Sequence, residues 1–339
     1  MTLFDPRDRI DPQVRTGLDA MLEATGPGGY RNHPLHTRRE MYEAGNAAAL
    51  AATPVDDTVQ QRDEWIPGHR GDSIRVRVYE PRNRRANELP VILYLHGGGL
   101  NHGSIATDER QARPLIRAGE DGAVVVSVDY RLAPEHPHPY PVEDCYAALI
   151  WVADHAVELG IDLSRIVLYG GSAGGGLAAG VSLLARDRGG PAIAYQMLLY
   201  PMLDDTNETP SSRLITDVGI WDRDLNIEAW RFLLGNAADA DEISEYAAPS
   251  RARNVEGLPP TYIDVGELDL FRDEDIRFAA RLLESGVPVE LHVYPGGIHA
   301  SELLAPDAEL SRRIGRYRDE ALERALGAHR PKTPVPDQR

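Results

Sequence analysis

Seven short, strongly apolar runs separated by helical patterns are the feature that most constrains how this chain can fold. The runs are SIRVRVYE from Ser73, PVILYL from Pro90, AVVVSVD from Ala123, RIVLYG from Arg165, YQMLLYP from Tyr195, TYIDVG from Thr261 and VELHVYP from Val289. SIRVRVY alternates and suits an edge or antiparallel strand, whereas runs that are apolar on both faces are typical of central parallel strands. Strands that alternate with helices predict an α/β fold, with a mostly parallel sheet covered by helices on both faces.

The alternation of predicted strands and helices also indicates how the chain is divided into segments. Its 339 residues, 42% of them hydrophobic, allow one large domain with additions. We expect residues 56–204 and 236–328 to form the main domain and residues 1–55 to be an N-terminal helical segment. Residues 205–235 break the rhythm and are predicted to be an insertion above the sheet. Residues 329–339 have little to bury and are predicted to be a disordered tail.

Composition argues against several kinds of partner. The formal net charge of −17 repels phosphate backbones and anionic lipids, so we expect neither nucleic acid nor a membrane surface to bind. No apolar run reaches the roughly 18 residues of a membrane span, and the N-terminus lacks an apolar signal core. The lone cysteine, Cys145, excludes an internal disulfide and is predicted to be a packed thiol. We therefore expect a cytoplasmic protein that acts on a small molecule.

The stretch RIVLYGGSAGGG places a serine between a strand and a helix. It contains G-x-S-x-G, with Gly170 and Gly174 flanking Ser172. A serine on such a sharp turn projects its hydroxyl above the sheet, and the small flanking residues let strand and helix approach each other. The alternative is a nucleotide-phosphate loop, but no acidic residue ends a second strand at the required distance and no Walker lysine is present. The motif therefore predicts that Ser172 is a nucleophile.

A serine nucleophile needs a histidine base, which an acid must orient. His299 follows the strand VELHVYP and lies in GGIHAS, where catalytic groups of open parallel sheets are found. His136 and His138 lie in the proline-rich loop PEHPHPYP, which is more typical of a structural turn. That loop also lacks a third ligand with metal spacing, so we expect no metal site. His299 is the predicted base.

The orienting acid should also follow a strand. The stretch TYIDVGELDLFRDED offers four acids: Asp264, Glu267, Asp269 and Asp273. The first lies within the strand, and the last opens the next helix as a cap. Glu267 and Asp269 remain, and local patterning does not separate them. The chain order of serine, acid and histidine is the one expected of α/β hydrolases.

Three glycines follow the strand VILYL in the sequence HGGG. Glycines at that position expose backbone N–H groups, which can stabilise the oxyanion of an acyl-transfer intermediate. We predict that Gly97 and Gly98 donate to the oxyanion, together with the N–H of Ala173, the residue after the serine.

Together these motifs resemble the hormone-sensitive-lipase-like branch of the α/β-hydrolase fold. The matching motifs are HGGG from His96, DYRLAPEHP from Asp129, GGSAGG from Gly170, GELDLFRDE from Gly266 and YPGGIH from Tyr294. The resemblance implies that Asp269 is the triad acid and that the N-terminal helices and residues 205–235 form a cap over the acyl pocket. It also implies a carboxylic ester hydrolase for short- to medium-chain acyl esters, without a cofactor, in a family whose members often form homodimers.

The chain departs from the family pattern beside the serine and after the glycines. Gly171 stands where the family usually has aspartate, so an acidic side chain near the serine is lost. Asn101 and His102 stand where the family often has apolar or aromatic residues. We expect this pair to be a surface detail, the alternative being a more polar pocket. In the loop YRLAPEH we expect Arg131 and Glu135 to form a structural ion pair or to brace the loop.

The sequence therefore predicts an esterase that works through an acyl-enzyme. An amide or lactone hydrolase would use the same groups, and a matched ester and amide would separate the two. A non-catalytic ligand-binding protein on this fold is the other alternative, but proteins of that kind lack a triad residue, whereas here all three positions are filled.

Overall fold

The computed structural model describes residues 5–26, 28–54, 56–218, 220–235 and 243–327. The predicted tail at 329–339 lies outside the described residues. The eight strands are β1 Val59–Pro67, β2 Ser73–Pro81, β3 Leu89–Leu95, β4 Val124–Asp129, β5 Ile161–Gly171, β6 Tyr195–Leu199, β7 Thr261–Gly266 and β8 Val289–Tyr294. The α-helices are α1 Pro12–Thr25, α2 Leu35–Ala51, α3 Glu109–Ala112, α4 Tyr140–Asp154, α5 Ala156–Leu159, α6 Ala173–Arg188, α7 Pro210–Leu214, α8 Arg223–Leu234, α9 Arg272–Glu284, α10 Ser301–Leu304 and α11 Glu309–Gly327.

All eight strands form one sheet in the order β1-β2-β4-β3-β5-β6-β7-β8. The pairs β1–β2 and β2–β4 are antiparallel, and the remaining neighbours are parallel. Strands β3 and β4 are almost entirely buried, as expected for strands with helices on both faces. The predicted α/β architecture with a mostly parallel sheet is therefore confirmed, as is the antiparallel pairing of the SIRVRVY strand.

Strand β1 is not predicted from the sequence. Its residues VQQRDEWIP are mostly polar, and the strand lies at the sheet edge with only its ends buried. Without a buried face it carries no hydrophobic alternation, which is the signal that identifies a strand.

Helix α6 lies against the middle of the sheet and is buried from Ala173 to Ala185. A helix that is apolar or small on every side belongs in a core rather than at a surface. Its N-terminus meets the carboxyl end of β5, so the fold places the turn between these two elements at the centre of the molecule. Leu310, Ile314 and Ala321 of α11 are also buried, so one face of this helix packs against the core.

Candidate active site

The turn between β5 and α6 holds Ser172 in a left-handed backbone conformation. Its φ is 57° and its ψ is −121°, a combination that L residues adopt only where their surroundings enforce it. The Ser172 N–H donates to the carbonyl of Leu199 at 2.8 Å, and its carbonyl accepts from the amides of Gly176 and Met202 at 3.0 Å. The backbone on both sides therefore fixes the strained turn, and the hydroxyl is presented at the carboxyl end of β5.

The two glycines of the motif are required by this close packing. A Cβ on Gly170 would lie 2.3 Å from the carbonyl oxygen of Gly174. A Cβ on Gly174 would lie 2.0 Å from the carbonyl oxygen of Leu95 in β3. Both distances are far inside van der Waals contact, so the motif has its predicted structural role of letting strand and helix approach.

A hydrogen-bonded relay connects Ser172 to a histidine and an acid. Nε2 of His299 lies 3.1 Å from Oγ of Ser172, and Nδ1 of His299 lies 2.7 Å from Oδ2 of Asp269. Asp269 is fully buried, and its Oδ1 accepts the N–H of Phe271 at 3.0 Å. Because a carboxylate only accepts, Nδ1 of the imidazole carries the proton and Nε2 presents its lone pair to the serine hydroxyl.

The other acids of the same stretch have different partners. Glu267 pairs with Arg9 and accepts the N–H of Gly296 at 3.1 Å. Asp264 pairs with Arg318 from within β7. Asp273 accepts the N–H of Ser211 at 2.8 Å. The structure therefore separates the two acids that local patterning left open, because only Asp269 among these four reaches His299.

Tyr200 occupies the space beside Gly171. A Cβ on Gly171 would lie 3.3 Å from the Tyr200 ring, and this ring packs edge-on against His299 at 4.8 Å between centroids. The Tyr200 hydroxyl donates to Oε1 of Glu302 at 2.6 Å. Tyr200 therefore contacts the ring of His299 with its own ring and the carboxylate of Glu302 with its hydroxyl.

The backbone N–H groups of the HGGG loop differ in whether they already donate a hydrogen bond. The N–H of Gly97 donates to Oδ2 of Asp108 at 3.3 Å. The N–H groups of Gly98, Gly99 and Ala173 have no acceptor within the described part of the chain. Gly99 is a further candidate oxyanion donor. The sequence does not identify it, because the three glycines are equivalent until the contact between Gly97 and Asp108 is known.

Residues outside the predicted set hold this loop in place. His96 stacks on Tyr130, with 4.0 Å between ring centroids and 10° between planes, and the Tyr130 hydroxyl donates to the His96 carbonyl at 2.7 Å. Arg39 of α2 donates to the carbonyls of Asn101 and Ala133 at 2.7 and 2.9 Å. These bracing contacts join positions about 30 to 90 residues apart, which no local pattern reveals.

A cavity of about 540 Å³ lies above Ser172 and His299. Met21 of α1, Tyr42 of α2 and the residues Trp221 and Leu225 contribute to its wall. Described residues from both the N-terminal segment and the 205–235 segment therefore lie over the serine.

The expectation that Asn101 and His102 are a surface detail is wrong. Asn101 is 1% exposed and His102 is 6% exposed, and His102 lines the cavity. The cause is a tight turn in which both amides donate to the carbonyl of Gly98, at 3.2 and 2.9 Å. Leu100 adopts a φ of 63° within this turn, which folds the following side chains inward.

Arg131 and Glu135 do not pair with each other, so that expectation is wrong, but both brace the loop, which was the stated alternative. Arg131 pairs with Asp144, whose carboxylate is fully buried, and with Asp72. Glu135 pairs with Arg39, which lowers the pKa of its carboxyl to about 2. Arg131 and Glu135 do not pair with each other because helices α4 and α2 place an oppositely charged side chain next to each of them.

Two further sequence predictions concern groups away from the serine. Cys145 is buried, and burial raises the pKa of its thiol well above the usual value, so the reactive thiolate is disfavoured. Among the residues that the structure describes, no cluster of three or more His, Cys, Asp and Glu side chains could hold a metal ion.

A buried acid near Asp269 has no hydrogen-bond partner among the described residues. Asp275 of α9 is fully buried, and neither of its carboxylate oxygens has a hydrogen-bond partner among the described residues. Burial raises the pKa of Asp275 well above its usual range, and the nearby carboxylates of Glu274, Asp269 and Asp264 raise it further. Ionising this group in the folded state is therefore unfavourable.

We expect Asp275→Asn to raise the free energy of unfolding by about 1–3 kcal/mol near pH 8. The folded pKa is raised above the unfolded value of about 3.9, so the penalty is absent below that value and grows as the pH rises towards the folded pKa. The gain should therefore be small near pH 4 and larger near pH 8. Urea unfolding across this pH range measures it.

The matched control is Glu284→Gln, an exposed acid at the end of the same helix. It should change the stability little at any pH. If Asp275→Asn did not raise the free energy of unfolding near pH 8, or raised it equally at every pH, the interpretation would be contradicted.

Comparison with known proteins gives consistent matches over most of the chain. A family model described as the alpha/beta hydrolase fold matches residues 92–303. Esterase LipI of Mycobacterium tuberculosis (strain ATCC 25618 / H37Rv) is 42% identical over 244 residues, which are 72% of this chain and 75% of LipI. Carboxylesterase NlhH of Mycobacterium tuberculosis (strain CDC 1551 / Oshkosh) is 42% identical over 274 residues, 78% of this chain and 83% of NlhH.

Solved structures show the same similarity in three dimensions. The structure titled "Bacterial Heroin Esterase" superposes with a TM-score of 0.86 at 41% sequence identity, covering 94% of this chain and 98% of that chain. Within the described residues, no helix is both long and apolar enough to span a membrane.

Proposed function

Because the chain belongs to the hormone-sensitive-lipase-like branch of the α/β-hydrolase family and is a carboxylic ester hydrolase, we propose that Ser172 is its nucleophile, His299 its general base and Asp269 the acid that orients the base. The observation that carries the proposal is the relay from Asp269 through His299 to Ser172, with contacts of 2.7 and 3.1 Å at the base of a cavity.

The geometry supports a two-step acyl transfer. Oγ of Ser172 attacks the ester carbonyl carbon while Nε2 of His299 takes the hydroxyl proton. Asp269 holds the imidazole in the reactive tautomer and stabilises the imidazolium. His299 then protonates the leaving alcohol oxygen as the tetrahedral intermediate collapses to the acyl-enzyme. Water enters, gives a proton to His299 and attacks the acyl carbon. His299 then returns this proton to Oγ of Ser172 as the second tetrahedral intermediate collapses, which releases the carboxylic acid and restores the free enzyme.

The oxyanion of each intermediate needs fixed N–H donors. We propose Gly98 and Ala173 from the predicted set, supported by their unengaged amides, and we add Gly99 for the same reason. Gly97 was also predicted, but its N–H already donates to Asp108, so it is the weakest member of the set.

The substrates we propose are short- to medium-chain acyl esters. A cavity of about 540 Å³ is within the range of small-molecule sites and has room for such an ester. We propose that residues 1–55 and 205–235 act as the cap that bounds this space, since Met21, Tyr42, Trp221 and Leu225 lie along its wall. Residues 56–204 and 236–328 would then be the catalytic domain.

We expect the chain length of the acyl group to control the rate. The test compares p-nitrophenyl acetate, butyrate, octanoate and laurate, and pairs the butyrate with butyryl p-nitroanilide. The proposal predicts the highest kcat/KM for acetate, butyrate or octanoate, a marked fall for laurate, and much slower cleavage of the anilide. Faster cleavage of the anilide would indicate an amidase, and no turnover of any ester would contradict the proposal.

The cytoplasmic location and the homodimer remain proposals. The lone buried Cys145 fits a reducing compartment. Light scattering of the purified chain would measure the oligomeric state.

A further inference from the structure

One wall of the cavity carries three polar side chains whose hydrogen-bonding capacity is not fully used. They are Arg38 and Tyr42 of α2 and His102 of the turn after the HGGG loop, and all three line the cavity. Arg38 and His102 are 2% and 6% exposed, so bulk water does little to satisfy them. Buried polar groups are normally paired, and unpaired ones in a cavity indicate a ligand or a bound water.

His102 presents an acceptor to the cavity. Its Nδ1 lies 3.3 Å from the carbonyl oxygen of Gly98. Because a carbonyl only accepts, Nδ1 carries the proton and Nε2 keeps a lone pair in the neutral ring. Burial, followed by the positive charges of Arg38 and Arg39, lowers the pKa of His102 to about 4, so the ring is neutral at pH 7. Nε2 has no partner within the described residues.

Arg38 lies in the same wall, with its Nε buried beneath the cavity surface. Its Nη2 pairs with Glu228 of α8, while its Nε has no acceptor among the described residues. The carboxylate of Glu228 offsets part of the charge of the guanidinium, which can therefore also serve a neutral ligand as a hydrogen-bond donor.

Tyr42 completes the wall and can act in either direction. Its ring meets the ring of His102 edge-on, with 6.1 Å between centroids. Its hydroxyl has no partner in the part of the chain that the structure describes. A phenol both donates and accepts hydrogen bonds, so it can adapt to whichever direction the ligand needs.

A hydrogen-bond acceptor beside hydrogen-bond donors favours a ligand group that can both donate and accept. A carboxylate or a carbonyl cannot donate to Nε2 of His102, and an ammonium cannot accept from Arg38. An alkyl group satisfies neither of them. A hydroxyl group does both, because it donates to Nε2 and accepts from the guanidinium or from Tyr42.

We propose that Arg38, Tyr42 and His102 form a hydroxyl-binding subsite, so that the enzyme prefers esters that carry a free hydroxyl group close to the scissile bond. The subsite lies near the reacting carbonyl because His102 is held to Gly98 by both its amide and its ring, at 2.9 and 3.3 Å. The inference rests on the proposed function, since it concerns the cavity above Ser172.

Matched ester pairs test this preference with a methyl group in place of the hydroxyl. Ethyl 3-hydroxybutyrate against ethyl 3-methylbutyrate places the change on the acyl side. Hydroxyethyl butyrate against propyl butyrate places it on the alcohol side. Hydrolysis is followed by pH-stat titration. We expect kcat/KM to favour the hydroxy ester by about tenfold in at least one pair, which also identifies the side that faces the subsite.

Two variants connect this ratio to the subsite. His102→Phe keeps a ring but removes the acceptor, and Tyr42→Phe removes only a hydroxyl. The hydroxy-to-methyl ratio should fall to about one in the first and fall by a smaller factor in the second. The matched control is His36→Phe, an exposed histidine on α2, which should leave the ratio unchanged.

The outcomes separate this inference from the proposed function. If the wild type hydrolyses the methyl-bearing esters but prefers neither hydroxy ester, the subsite is wrong and the esterase stands. A preference that survives both variants also overturns the subsite. If no ester is hydrolysed, including p-nitrophenyl butyrate, both proposals fail.

Discussion

Replacing Ser172 with alanine is expected to lower kcat for p-nitrophenyl butyrate by about 10⁴- to 10⁶-fold. Without Oγ there is no acyl-enzyme, and His299 has no hydroxyl to deprotonate at 3.1 Å. The residual rate comes from substrate binding and from the oxyanion donors, which act on a water molecule instead. Steady-state kinetics with excess substrate measure the loss.

The fold should survive this substitution. Ser172 fixes the turn through its backbone amide and carbonyl, which alanine retains. Circular dichroism should therefore be unchanged, and Ser285→Ala, at the end of α9 and outside the cavity wall, should keep full activity. If Ser172→Ala were folded and retained more than about a tenth of the wild-type kcat, Ser172 would not be the nucleophile.

Replacing Arg318 with methionine is expected to lower the free energy of unfolding by about 3–5 kcal/mol. Arg318 of α11 donates to both oxygens of Asp264 at 2.7 and 3.0 Å and to Glu302 at 2.7 Å. Its guanidinium also lies over the Tyr200 ring, 5.3 Å from the centroid. Removing one partner from a buried ion-pair network leaves the remaining carboxylates uncompensated, which costs more than the pair itself contributes.

The matched control lies two positions away in the same helical turn. Arg316→Met changes an exposed arginine of α11 and should alter the stability by less than about 0.5 kcal/mol. Urea unfolding of both variants gives the comparison. Equal, small effects would show that the cluster around Arg318 is hydrated and contributes little to stability.

Arg318→Met should also slow catalysis, because Glu302 and Tyr200 lie against the loop and ring of His299.

Much of the fold follows from local patterns, because buried strands and helices have distinct hydrophobic periods. The apolar runs predict β2 to β8, and the helical patterns between them predict a sheet covered by helices. The exposed edge strand β1 was missed because edge strands can be polar on both faces. The predicted catalytic residues Ser172 and His299 are brought together because parallel strands bring their carboxyl ends to one edge of the sheet.

What could not be predicted depends on contacts between distant parts of the chain. Sequence patterns do not distinguish Glu267 from Asp269 as the triad acid, because local sequence does not show which carboxylate points at His299. Only the resemblance to the family selects Asp269. The partners of Arg131 and Glu135 lie on other elements. The inward turn that buries His102 depends on a left-handed residue at Leu100, a conformation with no sequence signal outside glycine.

The most direct test of the central claim is covalent labelling with diethyl p-nitrophenyl phosphate, followed by mass-spectrometric mapping of the modified peptide. The reagent transfers its phosphoryl group to an activated serine and releases p-nitrophenolate. The account predicts one diethylphosphoryl group for each chain, on Ser172, appearing together with the loss of esterase activity, and no label in Ser172→Ala. Inactivation with the label on any other residue, or full activity after Ser172 is labelled, would contradict it.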